Sequence, residues 1–160
     1  MPSGDDIHPS AQRVVDVLKS LGVVGPFREF AVPTKTAADA AAALECEVDA
    51  IASTLVFMAD DKPLIVLKSG TLRVDLEKVR QFLGVVSVRQ ATPNEVRAAT
   101  GQSPGGVSPV GWPQPITCLI DNSLAHVARL WAACGTPNAV FSTTYDELRS
   151  LTGAIPISLR

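Results

Sequence analysis

The residues best suited to build a binding site lie in one loop, residues 100–111, which reads TGQSPGGVSPVG. Its glycines allow a ligand to approach the main chain closely, and Pro104 and Pro109 restrict φ and hold the shape of the loop. Gly105 and Gly106 can direct N–H groups at a carbonyl or carboxylate oxygen, as an oxyanion hole does. Ser108 adds a hydroxyl group. Composition alone is equally compatible with a long surface turn.

A carboxylate follows the next apolar segment, residues 116–120, at Asp121. In a binding site, Asp121 can orient water or bind an ammonium group. The same residue is also suited to cap a helix that begins near residue 124. The sequence leaves both roles open.

Other catalytic patterns are absent from the sequence. The two histidines, His8 and His126, have no convincing nucleophile beside them, and the GxSxG, GxxxxGK[ST] and GxGxxG motifs do not occur. Cys46, Cys118 and Cys134 are far apart and form no CxxC pair, which argues against zinc and indicates reduced thiols. We therefore expect neither a metal nor a cofactor.

The composition indicates one globular domain over residues 1–160, with residues 1–7 as a flexible leader, because 46% of the residues are hydrophobic and 19% are charged. The net charge of −2 argues against a protein that binds nucleic acid over its whole surface, so no DNA partner is expected. A few local contacts with the end of an RNA remain compatible with it. No apolar run has the length of a membrane span and the polar N-terminus is not a signal peptide, so we expect a cytoplasmic protein.

Periodicity, caps and turn residues predict an α+β domain with a mixed, mostly antiparallel sheet surrounded by helices. The predicted helices cover about 9–21, 36–44, 75–83, 92–100, 124–133 and 144–151, with one further helical turn over 47–52. The predicted strands cover 27–32, 54–58, 64–67, 85–89, 116–120, 139–141 and 154–159. The segments 54–58 and 64–67 are predicted to form a hairpin, so the sheet is not all parallel.

These segments, in this order, resemble the YbaK/EbsC family, the stand-alone relatives of the prolyl-tRNA synthetase editing domain. The resemblance extends from about Ser10 to Leu159, and it is carried by STLVF, LKSG, VDLEKV, ATPNEVRAATG, GGVSPVG and IDNS. The combination of the TG pair, the GGVSP loop and the spaced IDNS segment is specific, whereas each motif alone is weak. The resemblance implies a YbaK-like fold.

The resemblance also implies an activity. Members of the family act in trans to hydrolyse the ester of mischarged aminoacyl-tRNA, typically alanine or cysteine on a proline tRNA. The expected partners are the acceptor end of an aminoacyl-tRNA and, as a further candidate, prolyl-tRNA synthetase. No metal or cofactor is implied, and catalysis would rest on positioning, on backbone N–H groups and on a ribose hydroxyl of the tRNA. Transferred to this chain, the predicted catalytic residues are Gly105, Gly106, Asp121 and Ser53, and the predicted substrate-binding residues are Thr54, Thr100, Gly101, Val107, Ser108 and Pro109.

Ser53 departs from the family pattern, which usually has a lysine immediately before the [ST]L of this strand. A serine can donate a hydrogen bond but carries no charge, and loss of a charge-assisted contact costs about 1.5–3 kcal/mol of binding. Lys35 and Lys68 are close in sequence, but nothing in the sequence places either of them at the site. Two hypotheses follow. The chain is a deacylase of mischarged tRNA, or it is a non-catalytic module that binds an amino acid, an aminoacyl group or the end of a tRNA.

Overall fold

The structure is a computed structural model that describes residues 9–159. The predicted leader, residues 1–7, and His8 lie outside this range. Within it, the α+β class predicted from the sequence is confirmed. The helices are α1 (Pro9–Ser20), α2 (Ala37–Leu44), α3 (Leu76–Leu83), α4 (Pro93–Thr100) and α5 (Tyr145–Thr152). The strands are β1 (Phe27–Glu29), β2 (Ala52–Ala59), β3 (Lys62–Ser69), β4 (Val88–Gln90), β5 (Thr117–Asp121), β6 (Leu130–Ala133), β7 (Ala139–Thr143) and β8 (Ile155–Ile157).

A five-stranded mixed sheet has the strand order β4-β2-β3-β5-β8. Its centre is the predicted hairpin of β2 and β3, which is antiparallel and pairs Ala59 with Lys62 across a two-residue turn. Asp60 and Asp61 in this turn have φ of 48° and 62°, as a type I′ hairpin turn requires. Strands β5 and β8 continue the sheet in the parallel sense. The backbone of Asp60 and Asp61 therefore forms a tight hairpin turn, and the carboxylate of Asp60 accepts from the N–H groups of Val86 and Ser87.

A second sheet of three antiparallel strands has the order β1-β7-β6. An isolated bridge between Ile51 and Trp131 joins it to the start of β2. The prediction of mixed, mostly antiparallel pairing is confirmed, and the strands divide into two sheets. β4 pairs only with residues 57–59 of β2, and the start of β2 lies next to β6 of the second sheet.

Side chains alternate between the two faces of the β2–β3 hairpin, and each face has its own core. On one face, Val56 and Ile65 pack in a cluster with Leu18 of α1, Phe141 of β7 and Leu148 of α5. The opposite face packs against α3, in a cluster that contains Phe57, Leu64 and Val79. A smaller cluster joins α2 to the start of β2 and to β7, through Ala41, Ile51 and Val140. Burial of each large side chain contributes about 1.5–3 kcal/mol.

The predicted helix over 124–133 is wrong. A short 3-10 helix covers Asn122–His126, and the chain then extends into β6. In β6, Leu130 and Ala132 are buried while Trp131 and Ala133 are half-buried, which is the period-2 pattern of a strand paired with β7. The helical spacing of the apolar residues in this segment was misleading because pairing with β7 satisfies the backbone instead.

Three predicted strands are shorter in the structure: the segment 154–159 forms only β8, and the other two differences have a backbone cause. The segment 85–89 contributes only its end to β4, because the N–H groups of Val86 and Ser87 donate to the carboxylate of Asp60. The segment 27–32 pairs with β7 only as far as Glu29. Beyond it, Phe30 exchanges hydrogen bonds with Asn138 in the turn between β6 and β7.

The helix starts predicted from capping residues are correct at Thr36, Asp75, Thr92 and Thr144, each of which accepts a backbone N–H group through its side chain. At Thr92 the capping box is complete, because Glu95 also accepts from the backbone of Thr92. This start matters for the site, since α4 leads directly into the loop at residues 100–111. Among residues 9–159, no helix has the length and apolar character that crossing a membrane requires.

Candidate functional site

A cavity of about 290 Å³ lies between α2, the exposed edge of β2, the turn between β6 and β7, and the middle of the loop at residues 100–111. We call it the α2–β2 cavity. Among the predicted site residues, Ser53, Thr54, Gly105 and Val107 line it. Its lining also includes Lys35 and Lys68, and no carboxylate of residues 9–159 is part of it. The cavity is therefore a cationic compartment in a chain whose net charge is −2.

A second cavity, of about 450 Å³, adjoins the first on the side of α4. We call it the α4 cavity. Its walls are mainly apolar, with Val56, Phe57, Ala91, Pro93 and Val96 among them. The two cavities share Thr54, Leu55, Gly105 and Val107. These four residues thus form the junction between a cationic and an apolar compartment.

The start of the loop is fixed by hydrogen bonds to backbone groups of α4 and of the loop itself. Thr100 is buried, and its hydroxyl donates to the carbonyl of Val96 at 2.7 Å and accepts from the N–H of Gln102. Gly101, with φ of 71°, ends α4 in the left-handed conformation that favours glycine. Neither Thr100 nor Gly101 lines the α2–β2 or the α4 cavity. They line a separate cavity of about 200 Å³ beside α1, together with Arg13 and Gln102.

Gln102 closes the loop on itself, a role that the sequence did not suggest. Its amide nitrogen donates to the carbonyl of Val110 at 2.8 Å, and its amide oxygen accepts from the N–H of Ser108 at 2.7 Å. The hydroxyl of Ser108 is buried and donates to the same Val110 carbonyl at 2.6 Å. Ser108 is therefore occupied within the loop, and both it and the buried Pro109 are absent from the linings of the two cavities.

Gly106 is required by close packing. A Cβ atom at this position would lie 2.4 Å from the carbonyl carbon of Thr136 and 2.7 Å from the nitrogen of Pro137. The loop thus lies directly against the turn between β6 and β7, and both segments border the α2–β2 cavity. The N–H of Gly106 donates to the carbonyl of Ser103 at 3.2 Å, so its expected role as a donor to a ligand is not supported.

The amides on either side of Gly106 behave differently. Within residues 9–159, the N–H groups of Gly105 and Val107 have no hydrogen-bond partner. Both residues border both cavities. Gly105 has φ of 86°, and a Cβ atom there would meet nothing within 4 Å, so its conformation rather than a steric contact favours glycine. The junction therefore presents two backbone donors that no protein group in this range uses.

Thr54 adds a polar atom to the same junction. Its hydroxyl oxygen is buried and has no hydrogen-bond partner among the described residues. Leaving a buried hydroxyl unpaired costs about 1–3 kcal/mol, so such groups are rare and call for a reason. A ligand at the junction would supply the missing partner.

The match to known proteins is consistent with this geometry. Residues 31–151, most of the chain, match the family described as the aminoacyl-tRNA editing domain. This chain belongs to that family. The editing domain includes α2, the β2–β3 hairpin and the whole loop at residues 100–111, and hence both cavities.

Individual relatives agree with the family match. A solved structure described as a candidate trans-editing enzyme for prolyl tRNA synthetase is 40% identical and superposes with a TM-score of 0.91, covering 97% of this chain and 99% of its own. The uncharacterised protein YwhH of Bacillus subtilis is 31% identical over 121 residues, which are 75% of this chain and 76% of YwhH. The proline–tRNA ligase of Leuconostoc mesenteroides is 33% identical over 98 residues, which are 61% of this chain and 17% of the ligase. This chain spans 17–20% of the length of the ligases it matches. An editing role on aminoacyl-tRNA is the function that these matches support.

Asp121 of the editing domain lies away from both cavities. It is fully buried, and its carboxylate accepts from the N–H and the hydroxyl of Ser123 and, at 3.0 Å, from the N–H of Leu159. These contacts cap the 3-10 helix and fix the C-terminal segment beside β5. Of the two roles that the sequence left open, the geometry supports the cap and gives no support to the catalytic role.

Lys68 and Ser53 are direct partners in the β2–β3 hairpin, so their side chains share one face of the sheet. Both line the α2–β2 cavity. Lys68 is half-buried, and this burial lowers the pKa of its ammonium group below the ordinary value. The sequence analysis predicted the hairpin but not its register, and a two-residue turn at Asp60 and Asp61 is what pairs these two residues.

The remaining titratable candidates do not contribute to the junction. His126 is exposed at the end of the 3-10 helix. Burial raises the pKa of the thiols of Cys118 and Cys134 to about 12, and neither they nor Cys46 line a cavity described above. Among residues 9–159, no group of three His, Cys, Asp or Glu side chains is arranged to hold a metal ion.

Proposed function

We propose that this editing domain is a hydrolase that acts in trans on mischarged aminoacyl-tRNA, with alanine or cysteine on a proline tRNA as the expected substrates. The observation that carries the proposal is the junction of the two cavities. Among residues 9–159, the N–H groups of Gly105 and Val107 and the hydroxyl of Thr54 have no hydrogen-bond partner, and all three residues line both cavities. The ester of an aminoacyl-tRNA joins an amino acid to a nucleotide, and at this junction an apolar cavity meets a cavity lined by two lysines.

The compartments suggest how the substrate is oriented. The α4 cavity has the apolar walls that a small amino-acid side chain prefers, and the α2–β2 cavity has the lysines that a nucleotide prefers. If the aminoacyl group occupies the α4 cavity and the terminal nucleotide occupies the α2–β2 cavity, the ester lies at Thr54, Gly105 and Val107. Two amide donors there are suited to bind the ester carbonyl oxygen.

The reaction then needs little from side chains. Water adds to the carbonyl carbon, and negative charge develops on the carbonyl oxygen, where the amides of Gly105 and Val107 stabilise it. The bond to the ribose oxygen breaks, which releases the amino acid and a tRNA with a free terminal hydroxyl. One oxyanion donor lowers the activation barrier by about 2.7–4 kcal/mol in other hydrolases. A ribose hydroxyl of the tRNA is available to orient the water.

The test is a deacylation screen. Proline tRNA charged with alanine, cysteine, serine or proline is incubated with the full chain, and loss of the ester is compared with the rate without protein. We expect acceleration for at least one mischarged tRNA and none for the prolyl ester. Absence of acceleration for every mischarged tRNA would overturn the proposal.

The alternative of a non-catalytic binding module is resolved by the same screen and one variant, Ser53→Lys. A wild-type chain that binds aminoacyl-tRNA without hydrolysing it, together with a Ser53→Lys variant that gains hydrolysis, would establish the binding module. Hydrolysis by the wild-type chain rejects it.

A further inference from the structure

The α2–β2 cavity contains a cation that the sequence resemblance does not account for. Lys68 lies directly opposite Ser53 across the β2–β3 hairpin, and both residues line the cavity. Directly opposed residues in an antiparallel pair have Cβ atoms about 4.5–5.5 Å apart. A lysine on β3 therefore reaches much of the space that a lysine on β2 would reach.

The surroundings of Lys68 favour an anion from outside the protein. Within residues 9–159, its ammonium group forms no ion pair or side-chain hydrogen bond. In the described part of the chain, the cavity wall provides no carboxylate to neutralise it, and the second lysine of the wall, Lys35, is exposed. Desolvation is the cause of its lowered pKa, which means that burial without a counter-charge is unfavourable for the charged form. A bound anion would remove this cost.

We propose that Lys68 binds the phosphodiester group of the terminal nucleotide of the tRNA, so that β3 supplies the cation of the site in place of β2. This inference rests on the proposed function for the identity of the ligand. An ammonium group gains most from a full negative charge, and the terminal phosphodiester is the anion closest to the ester. Lys68 is thus a positioning residue that sets affinity, while the junction residues act on the ester.

The experiment measures binding separately from hydrolysis. The probe is an acceptor-stem RNA hairpin of proline tRNA with alanine attached through a non-hydrolysable 3′-amide. Its Kd is determined at several KCl concentrations for the wild-type chain, for Lys68→Gln and for Lys62→Gln. Lys62 is a matched control because it is an exposed lysine on the same strand that lines neither cavity.

We expect Lys68→Gln to raise Kd about 10- to 100-fold, which corresponds to the loss of about 1.5–3 kcal/mol for a charge-assisted contact. The slope of log Kd against log salt should fall by about 0.7, the value for one phosphate of a single strand, which a purely structural defect would not produce. Lys62→Gln should change Kd less than twofold. The exchange variant Ser53→Lys/Lys68→Ser should restore most of the affinity, because the cation returns to the same cross-strand position.

The outcomes separate this inference from the proposed function. If the wild-type chain binds the probe through Lys68 but does not deacylate mischarged tRNA, the hydrolase proposal fails and the Lys68 inference stands. A Kd for Lys68→Gln within twofold of wild type, an unchanged salt slope, or no binding of the probe by the wild-type chain would overturn the inference. A Lys68→Gln variant with a lower kcat but an unchanged Kd would also overturn the inference, since this result would place the ammonium group at the ester.

Discussion

The loop at residues 100–111 has two parts, which differ in whether their polar groups form hydrogen bonds with the protein. At its ends, from Thr100 to Gln102 and from Ser108 to Val110, the side chains form hydrogen bonds within the loop and, from the Thr100 hydroxyl, to Val96 of α4. Its centre leaves the amides of Gly105 and Val107 without partners in the described range and places them on two cavities. The ends provide the rigidity that lets the centre keep donors free for a ligand.

Gly106 lies between the two free amides and packs against Thr136. We expect its replacement to have the largest effect on activity. In Gly106→Ala, the new Cβ meets the backbone of Thr136 at 2.4 Å, so the loop and the β6–β7 turn must separate. Overpacking of this kind costs about 1–3 kcal/mol of stability. We expect kcat/KM for deacylation to fall more than 100-fold, because a displacement of about 1 Å in a positioned site has that effect.

Gly84→Ala is the control for Gly106→Ala. It also adds a Cβ, at the end of α3, where nothing lies within 4 Å and the positive φ is the only cause of strain. It should lower the free energy of unfolding by about 1–2 kcal/mol and leave kcat/KM unchanged. Equal losses of activity in the two variants would mean that the packing of Gly106 has no special role.

The second prediction compares two threonine hydroxyls. Thr54→Val removes a hydroxyl with no partner in the described range, so the free energy of unfolding should stay constant or rise slightly. Kd for the amide-linked RNA probe should rise about tenfold, since the ligand loses its contact at the junction. Denaturant unfolding and binding are measured on the same samples.

Thr100→Val is the matched substitution in the anchored part of the loop. It removes a buried hydroxyl that bonds Val96 and Gln102, so we expect a loss of about 1–3 kcal/mol of stability. Its effect on Kd, measured where the variant is folded, should be less than threefold. The comparison between the two parts of the loop would break down if Thr54→Val reduced stability and Thr100→Val reduced affinity.

The smallest effect on activity is expected at Asp121. Asp121→Ala leaves the buried N–H of Leu159 unpaired and removes the cap of the 3-10 helix, which should cost about 2–4 kcal/mol of stability. Because Asp121 borders neither cavity, kcat/KM at 20 °C should remain within about threefold of wild type. Asp75→Ala, at the exposed cap of α3, is the control and should cost about 1 kcal/mol. A loss of kcat above 100-fold in folded Asp121→Ala would return this residue to a catalytic role.

Much of the fold was accessible from the sequence where the signal is local. The start of α4 at Thr92 and the hairpin around Asp60 and Asp61 depend on residues within four positions of each other. The strand β6 was missed because its residues satisfy a helical spacing as well, and only pairing with β7 decides between the two. The shortened β4 likewise depends on the carboxylate of Asp60, 26 residues away from Val86.

The candidate site shows the same division. From the sequence alone, the glycines and prolines of residues 100–111 indicated a loop that can build a binding site from its backbone, and the same composition also fitted a long surface turn. Only the tertiary structure decided which role each residue has. Gly106 packs against Thr136, Asp121 binds Leu159, and Lys68 lies opposite Ser53. Such contacts join distant parts of the chain, and their energies arise only when the sheets and helices have come together.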